Sequence, residues 1–180
     1  MKGEDDRVLV SRCHGGDRAA CGELVARYQK PIFNAALRML HQPEDARDVA
    51  QTTFLKAFEH LGDYNPSFKF YSWIYRIALN ESLNALGARR PLAPRDADDE
   101  ADEALGPEQR LEGEQMSRAI DEALSGIKPE LRTLIVLRHF MHLSYQDIAD
   151  IVALPEKTVK SRLYTARQML RDSLLQQGTL

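Results

Sequence analysis

The sequence has 180 residues, enough for one large domain or two small ones, and its 43% hydrophobic and 28% charged content is ordinary for a soluble globular protein. The formal net charge is −3, and no apolar run approaches the roughly 20 residues that cross a bilayer. These values exclude a membrane-spanning chain and a uniformly basic one. The acidic start, residues 1–6, lacks the apolar stretch of a signal peptide, so we expect a cytoplasmic protein.

The acidity is concentrated in the middle of the chain. Residues 91–112 carry eight Asp and Glu against two Lys and Arg. Its first part, residues 91–103, has two prolines, Pro91 and Pro94, many acids and no apolar periodicity, which is typical of a flexible linker. The pattern predicts two domains, residues 1–90 and 113–180, joined by an acidic linker. Apolar residues on both sides of it recur at helical spacing, so we expect an all-α fold of two small helical domains.

In the first half, the apolar spacing and the positions of Asp, Gly and Pro predict five helices. Asp17 suits an N-cap, and Pro43 suits a first helical position. We expect Pro31 to end the second helix, because proline has no N–H to donate and its ring clashes with the preceding turn. The expected helices lie around Val8–Val10, from Asp17 to near Pro31, over residues 32–40, from Pro43 to near Gly62, and over residues 70–86.

The two cysteines, Cys13 and Cys21, fit a reducing compartment. His14 lies beside Cys13, but three residues around a Gly-Gly turn are too few for a zinc site, which needs four ligands. We therefore expect small buried or half-buried thiols, no metal and no cofactor.

The most unusual segment is an aromatic run. Six of the thirteen aromatic residues lie between Tyr64 and Tyr75. Aromatic faces beside cations and amides hold unstacked nucleic-acid bases. Taken alone, the run also fits a crowded core around one helix, and Tyr71 and Tyr75 are candidates for that core.

The second half predicts four helices, one centred on residues 116–124 and one beginning at Pro129. The last two are joined by a two-residue turn before Pro155. The first of that pair opens with Ser144 and Asp147, spaced as in a capping box. Two helices with so short a turn predict a helix-turn-helix unit.

The final helix has two unequal faces. Its apolar residues fall in one arc, while five basic residues and no acid lie between Lys157 and Arg171. A helix of this kind can pack through one face and place the other in a major groove. The alternative is a solvated amphipathic helix without a ligand.

Three motifs together resemble the extracytoplasmic-function (ECF) class of the sigma-70 family. Residues 45–57, DARDVAQTTFLKA, are similar to the family's polymerase-binding helix, and residues 70–80, FYSWIYRIALN, are similar to its promoter-melting helix. LSYQDIA at 143–149 and TVKSRLY at 158–164 resemble its helix-turn-helix. The order and separation of these motifs carry the resemblance, which covers nearly everything from residue 8 to about residue 175.

The resemblance implies that residues 1–90 are sigma domain two and bind the β′ clamp helices of RNA polymerase. Arg47 and Thr53 stand where relatives usually have acids. Carboxylates and amides can pair with Arg and Lys of a partner, although at a helix start they also simply complement the dipole. The implied polymerase-binding residues are Asp45, Asp48, Gln51, Phe54 and Leu55.

The resemblance also implies that the aromatic segment opens the −10 promoter element, with a pocket for a flipped base. Asn80 offers a donor and an acceptor for reading a base edge, and Arg76 and Asn84 lie four residues to either side of it. The implied residues are Tyr64, Lys69, Phe70, Ser72, Trp73, Arg76, Asn80 and Asn84.

Residues 113–180 would be sigma domain four, whose recognition helix reads the −35 element. Thr165 stands where many relatives have a basic residue. The acidic linker would thread through a polymerase channel that otherwise holds RNA. Implied partners are the polymerase β′ and β subunits, promoter DNA and an anti-sigma factor. The implied −35 residues are Lys157, Lys160, Ser161, Arg162, Tyr164, Arg167 and Arg171.

Two other classes of protein fit parts of the sequence. A conventional helix-turn-helix regulator would use the first half for sensing or dimerisation, but it has no need for exposed aromatics beside Asn80. A nucleic-acid enzyme would use Glu44, Asp45 and Asp48 as metal ligands. No nucleophile, paired base or Gly-rich phosphate loop accompanies them, so we expect a chain without catalysis of its own.

Overall fold

The computed structural model describes residues 4–88 and 107–178, with side chains described from residue 115 onward in the second range. These residues contain helices and no strand, which confirms the all-α prediction. No helix in the described ranges is both long and apolar enough to cross a bilayer. The helices are α1 (Asp6–His14), α2 (Arg18–Leu40), α3 (Pro43–Glu59), α4 (Phe70–Ala88), α5 (Pro107–Ser125), α6 (Pro129–Ile135), α7 (Tyr145–Val152) and α8 (Glu156–Gln176).

Helices α1 to α4 form the N-terminal bundle. Asp17 caps α2 as predicted, because its carboxylate accepts hydrogen bonds from the backbone of Ala19 and Ala20. Pro43 occupies the first turn of α3, also as predicted. A 3₁₀ turn, Leu61–Asp63, follows α3 and leads into the loop before α4.

The predicted helix end at Pro31 is wrong, since α2 continues through it to Leu40. A proline inside a helix costs about 3 kcal/mol. Burial of apolar side chains on both sides offsets that cost, at about 1.5–3 kcal/mol for each large one. The buried row runs at intervals of four residues: Leu24, Tyr28, Ile32, Ala36 and Leu40.

Cys13 and Cys21 form a disulfide that joins the end of α1 to the start of α2. The expectation of separate thiols is therefore wrong. The turn at Gly15 and Gly16 folds α1 back onto α2 and leaves the two Cα atoms 4.9 Å apart, within the range that a disulfide requires.

The predicted linker, residues 91–112, overlaps the start of α5, which begins at Pro107. Pro107 followed by Glu108 favours a first helical turn. The acidic composition of the surrounding segment led to its prediction as a linker instead. The part of the predicted linker before Pro107 lies outside the described residues.

Helices α5 to α8 form the C-terminal bundle. A π-helical turn, Val136–Phe140, continues α6. The capping box at the start of α7 is present as predicted, with Ser144 and Asp147 bonded reciprocally. Ala153 adopts a left-handed conformation that turns the chain into α8. Val159, Leu163 and Ala166 of α8 are buried, which confirms the apolar face.

The two bundles pack against each other. Arg132 of α6 is 5% exposed and donates to Met39 O at the end of α2, at 2.6 Å. It also donates to Ser125 O at 2.8 Å and to Ile127 O at 3.1 Å. Arg38 of α2 pairs with Asp121 of α5. These contacts join buried apolar residues of both bundles into one core.

Candidate polymerase and nucleic-acid interfaces

The outer face of α3 is open to a partner. Leu55 is 57% exposed, a large value for an apolar side chain, and Asp48 and Gln51 are exposed as well. Phe54 is only 8% exposed and packs against Phe58, with ring centroids 6.1 Å apart. Phe54 follows the buried row of α3 and belongs to the core, and its predicted contact with polymerase stays a prediction.

A groove of about 450 Å³ lies between α3 and α4. Asp45 and Asp48 line one side, while Glu81 and Asn84 line the other. Lys56 pairs with Glu81 at 2.7 Å. The structure thus brings Asn84, which is predicted to bind DNA, together with Asp45 and Asp48, which are predicted to bind polymerase. The carboxylates in this groove disfavour a DNA phosphate, because like charges repel.

The aromatic run divides into core and surface. Tyr64 is 7% exposed and Phe70 is 2% exposed. Their rings meet edge to face at 5.6 Å, and the Tyr64 hydroxyl donates to Phe68 O at 2.6 Å. Burial raises the pKa of that hydroxyl. Tyr64 and Phe70 fill the bundle interior, and their predicted contact with DNA stays a prediction.

Trp73 is half-buried at the rim of this cluster, with centroid distances of 5.5 Å to Tyr64 and 5.7 Å to Phe70. Ser72 is 4% exposed and buried with them, and its predicted DNA contact stays a prediction. Tyr75 is buried as anticipated, and burial raises its pKa to about 12. Trp73 therefore combines an available edge with a rigid aromatic support.

Four of the polar residues predicted for DNA are exposed. Lys69, Arg76, Asn80 and Asn84 all lie at the surface. Arg76 and Lys69, however, are bonded to α7 of the C-terminal bundle, through backbone carbonyls in the first case and a carboxylate in the second. Sequence reasoning missed this contact, because no pattern indicates which residues of separate domains meet.

The basic face of α8 is formed as predicted. Lys160 pairs with Glu156 at 2.5 Å and lies 5.3 Å from the Tyr145 ring centroid. Arg167 is half-buried and its Nε lies 3.0 Å from His139 Nε2. The other predicted −35 residues are exposed: Lys157, Ser161, Arg162, Tyr164 and Arg171.

Two further details adjust this face. Tyr164 is 65% exposed, which leaves its ring available to a ligand. Burial, and then the charges of Arg167 and Arg138, lower the pKa of His139 and so favour its neutral imidazole. The Thr165 hydroxyl donates back to Ser161 O at 3.3 Å.

Comparisons with known proteins agree with this geometry. The model of sigma-70 region 2 matches residues 24–91, and that of sigma-70 region 4 matches residues 117–170. The chain is 36% identical to the RNA polymerase sigma-H factor of Pseudomonas aeruginosa over 95% of this chain and 94% of that protein. It is 34% identical to the ECF RNA polymerase sigma-E factor of Escherichia coli K12, over 94% of each chain.

Solved structures show the same architecture. The structure of CnrH in complex with the cytosolic domain of CnrY superposes with a TM-score of 0.75 at 28% identity, covering 95% of this chain and 97% of that one. The sigma factor RpoE of Bartonella quintana, solved with the anti-sigma factor NepR, shares the fold with a TM-score of 0.68 at 20% identity, over 85% and 95% of the two chains.

The chain belongs to the sigma-70 family, within its ECF class. It is an RNA polymerase sigma factor, which directs core polymerase to specific promoters and begins promoter melting.

Proposed function

We propose that the exposed face of α3 docks on the β′ clamp helices of core polymerase. Leu55 supplies an apolar anchor, and Asp48 and Gln51 surround it with groups that pair with Arg and Lys. The adjacent groove is also lined by Asp45 and by Glu81, whose carboxylate pairs with Lys56. Asn84 belongs to this surface, because carboxylates beside it repel DNA phosphates.

The −10 element is read by a surface smaller than the whole aromatic run. Trp73 presents an edge to the duplex, and buried Tyr64 and Phe70 hold its ring in place. Lys69 and Arg76 contact phosphates, and Asn80 reads a base edge. Extruding a base costs a few kcal/mol, which stacking at about 1–3 kcal/mol per base offsets.

The −35 element is read by α8 in the major groove. Lys157 and Arg171 contact phosphates near the two ends of the helix, and Arg162 and Tyr164 face bases between them. Lys160 and Arg167 are held by Glu156 and His139, which orients their side chains for the same groove. Ser161 completes this surface.

The protein acts where core polymerase and DNA are present, so its location is cytoplasmic, and polymerase supplies the chemistry. Residues 1–90 act as domain two and residues 113–180 as domain four, with the acidic segment between them passing through polymerase. An anti-sigma factor restrains the chain. Membership of the ECF class supports this last partner.

The observation that carries the proposal is the exposed apolar and acidic face of α3, in the same bundle as the aromatic cluster. The basic helix α8 lies on the other bundle. Run-off transcription of genomic DNA fragments by core polymerase, with and without the protein, tests the proposal. We expect transcripts that depend on the protein and share upstream elements. No stimulation from any fragment would overturn the proposal.

A matched pair of variants tests the docking face. Leu55→Ala and Asp48→Lys should each weaken binding to core polymerase by about tenfold, the size expected for a central interface residue. Asp63→Lys makes the same charge change on the exposed 3₁₀ turn and should leave binding unchanged. Equal losses in Asp48→Lys and Asp63→Lys would place the interface elsewhere.

A further inference from the structure

Helix α1 needs support from the rest of the N-terminal bundle. It has nine residues, whereas isolated helices shorter than about 12–15 residues are marginal in water. Three of its side chains are buried: Leu9, Val10 and Cys13. The turn at Gly15 and Gly16 adds little rigidity, because glycine has the greatest backbone freedom of any residue. The position of α1 therefore depends on its attachments to neighbouring elements.

Each end of α1 is attached to α2. At the N-terminal end, Asp6 forms an ion pair with Arg27 and accepts a hydrogen bond from the Tyr28 hydroxyl. At the C-terminal end, the Cys13–Cys21 disulfide joins α1 to the start of α2. The second attachment is covalent, and a change in redox conditions removes it without altering any other contact of α1.

The disulfide lies where a reagent can reach it. Cys21 is half-buried, whereas Cys13 is 7% exposed, so a small reagent meets the sulfur of Cys21 first. Cys21 lies near the N-terminus of α2, and helix N-termini favour reactive cysteines because the positive end of the dipole stabilises a thiolate. The Cys21 sulfur also lies 3.8 Å from Cys13 O, which gives a reduced thiol an acceptor. Both redox states thus fit this turn.

A disulfide is unusual in a protein that acts beside core polymerase. Glutathione and thioredoxin keep cytoplasmic thiols reduced, so disulfides formed there are usually transient and either catalytic or redox-sensing. The chain has two cysteines, and the disulfide contains both. Because the chain has no third thiol, the state of the pair is set by oxidants and reductants outside the chain. This setting favours a redox-sensing role.

Helix α1 supports the aromatic cluster from one side. Asp6 bonds the Tyr28 hydroxyl, and the Tyr28 ring meets that of Phe70 edge to face, with centroids 5.5 Å apart. The Phe70 ring in turn lies 5.7 Å from that of Trp73. A series of packed side chains thus connects α1 to the ring that is proposed to meet the duplex.

A second contact connects the C-terminal end of α1 to the same cluster. His14 follows Cys13 and packs against the 3₁₀ turn, where a Cβ added to Gly62 would lie 3.3 Å from His14 Cε1. This turn continues directly into Tyr64, whose ring lies 5.5 Å from that of Trp73. A shift of α1 at the disulfide therefore disturbs two supports of Trp73.

We propose that Cys13 and Cys21 are a site of reversible oxidation, whose disulfide fastens α1 and thereby holds Trp73 in position for promoter opening. The link to opening rests on the proposed function, since it assumes that Trp73 meets the duplex. The reduced protein keeps its fold, but α1 undocks more often, because a cross-link no longer constrains the undocked state. Oxidation therefore raises the fraction of molecules in which the Trp73 ring is firmly supported.

Hydrogen peroxide oxidises the pair in two steps. The Cys21 thiolate attacks one peroxide oxygen, so that an S–O bond forms, the O–O bond breaks, and the leaving hydroxide is protonated to water. The Cys13 sulfur then attacks the sulfur of this sulfenic acid, so that the S–S bond forms, the S–O bond breaks, and the Cys13 proton leaves with hydroxide as a second water. The two sulfurs lose two electrons, which the peroxide gains. Two molecules of glutathione reverse the oxidation through a mixed disulfide and leave as glutathione disulfide.

Alkylation of the native full-length protein, followed by intact-mass measurement, counts the free thiols. We expect two free thiols at about a hundredfold excess of reduced over oxidised glutathione. None should remain after glutathione is replaced by hydrogen peroxide, and returning the glutathione should restore both. A pair that stays oxidised in excess glutathione, or one that peroxide does not join, would overturn the proposal.

Hydrogen exchange measured by mass spectrometry reports on α1 itself. Reduction should accelerate exchange in α1 by about tenfold or more, and should leave exchange in α8 of the other bundle unchanged. The double variant Cys13→Ser with Cys21→Ser should exchange like the reduced protein, with or without peroxide. Equal exchange of α1 in the oxidised and reduced proteins would contradict the proposal.

Promoter opening by core polymerase tests the link to function. The oxidised protein should open a duplex promoter about fivefold faster than the reduced protein, the low end of the usual coupling between two sites, and both should use a pre-melted bubble equally well. The serine double variant in the same peroxide and glutathione buffers controls for any response of polymerase, and should give a single rate.

The outcomes separate the redox site from the proposed function. Equal opening rates for the oxidised and reduced proteins on duplex DNA, with normal transcription, would overturn the control of opening and leave the proposed function standing. Absence of polymerase-dependent transcription with either form would instead refute the function, and the thiol counts and exchange rates would still decide whether the pair is a redox site.

Discussion

Arg132 is expected to determine how firmly the two bundles are joined. It is 5% exposed and donates to three carbonyls: Met39 O at 2.6 Å, Ser125 O at 2.8 Å and Ile127 O at 3.1 Å. Met39 and Ser125 lie in the last turns of α2 and α5, where carbonyls have no partner within the helix.

The change Arg132→Met keeps most of the apolar stem and removes the donors. Leaving a buried acceptor unsatisfied costs about 1 kcal/mol at the low end of the usual range, so the two buried acceptors, Met39 O and Ile127 O, cost about 2 kcal/mol, while water can reach the partly buried Ser125 O. With a denaturant slope of about 2 kcal/mol per molar urea, the unfolding midpoint should fall by about 1 M.

Urea unfolding followed by two probes measures this effect. Trp73, the single tryptophan, reports by fluorescence on the N-terminal bundle, and far-UV circular dichroism reports on all helices. We expect the two transitions to coincide in the unsubstituted protein and to separate in Arg132→Met. Arg171→Met, at an exposed position, is the control. A midpoint shift below about 0.3 M would refute the assignment of these hydrogen bonds to the interface.

Three further predictions concern melting, the disulfide and pH. Trp73→Ala should reduce opening of duplex promoters by about tenfold or more, and affect a pre-melted bubble much less, in abortive-transcript assays. Reducing the Cys13–Cys21 disulfide should lower the free energy of unfolding by about 2.5 kcal/mol in urea titrations, because it closes a loop of about nine residues. Asp147 has its pKa lowered to about 2, so the stability it contributes is complete above about pH 4 and is lost as pH falls towards 2. Acid titration of the urea midpoint should show a smaller loss for Asp147→Asn.

Each of these has a control and a decisive contrary result. Trp73→Phe keeps an aromatic face and should retain most opening activity, whereas equal loss on duplex and bubble templates would refute a melting role. The Cys13→Ser and Cys21→Ser double variant should not respond to reductant, and a disulfide without stabilising effect would show no difference between oxidised and reduced protein. An acid profile of Asp147→Asn identical to that of the unsubstituted protein would contradict the contribution of this carboxylate.

Local signals were sufficient for much of the fold. Asp17, Pro43 and the Ser144 with Asp147 pair mark helix starts through their own side chains, and the structure confirms all three. The helix end predicted at Pro31 is wrong, because a row of buried residues on the same helix outweighs one missing hydrogen bond. The Cys13–Cys21 disulfide was not predicted, because the distance between the two cysteines depends on how α1 folds back onto α2.

For the candidate site, the sequence predicts the exposed polar residues better than the aromatic ones. Exposed polar positions such as Arg76, Asn80 and Arg162 were identified correctly as surface residues. The sequence also predicts that Tyr64 and Phe70 contact DNA, although both side chains are buried. An aromatic run contains no sign of which rings face inward, since inward packing depends on partners such as Tyr28, whose ring lies 5.5 Å from that of Phe70.

The sequence alone determined the helical class, the division into two domains and the family, because caps, apolar spacing and motif order are encoded within short stretches of chain. Only the tertiary structure decided which aromatics are core, that Arg132 joins the bundles, and that Asp147 meets Lys69 and Tyr71. The contacts of Arg132 with Met39 and of Asp147 with Lys69 and Tyr71 join residues more than 70 positions apart. They arise from the packing of whole helices, which local sequence patterns do not specify.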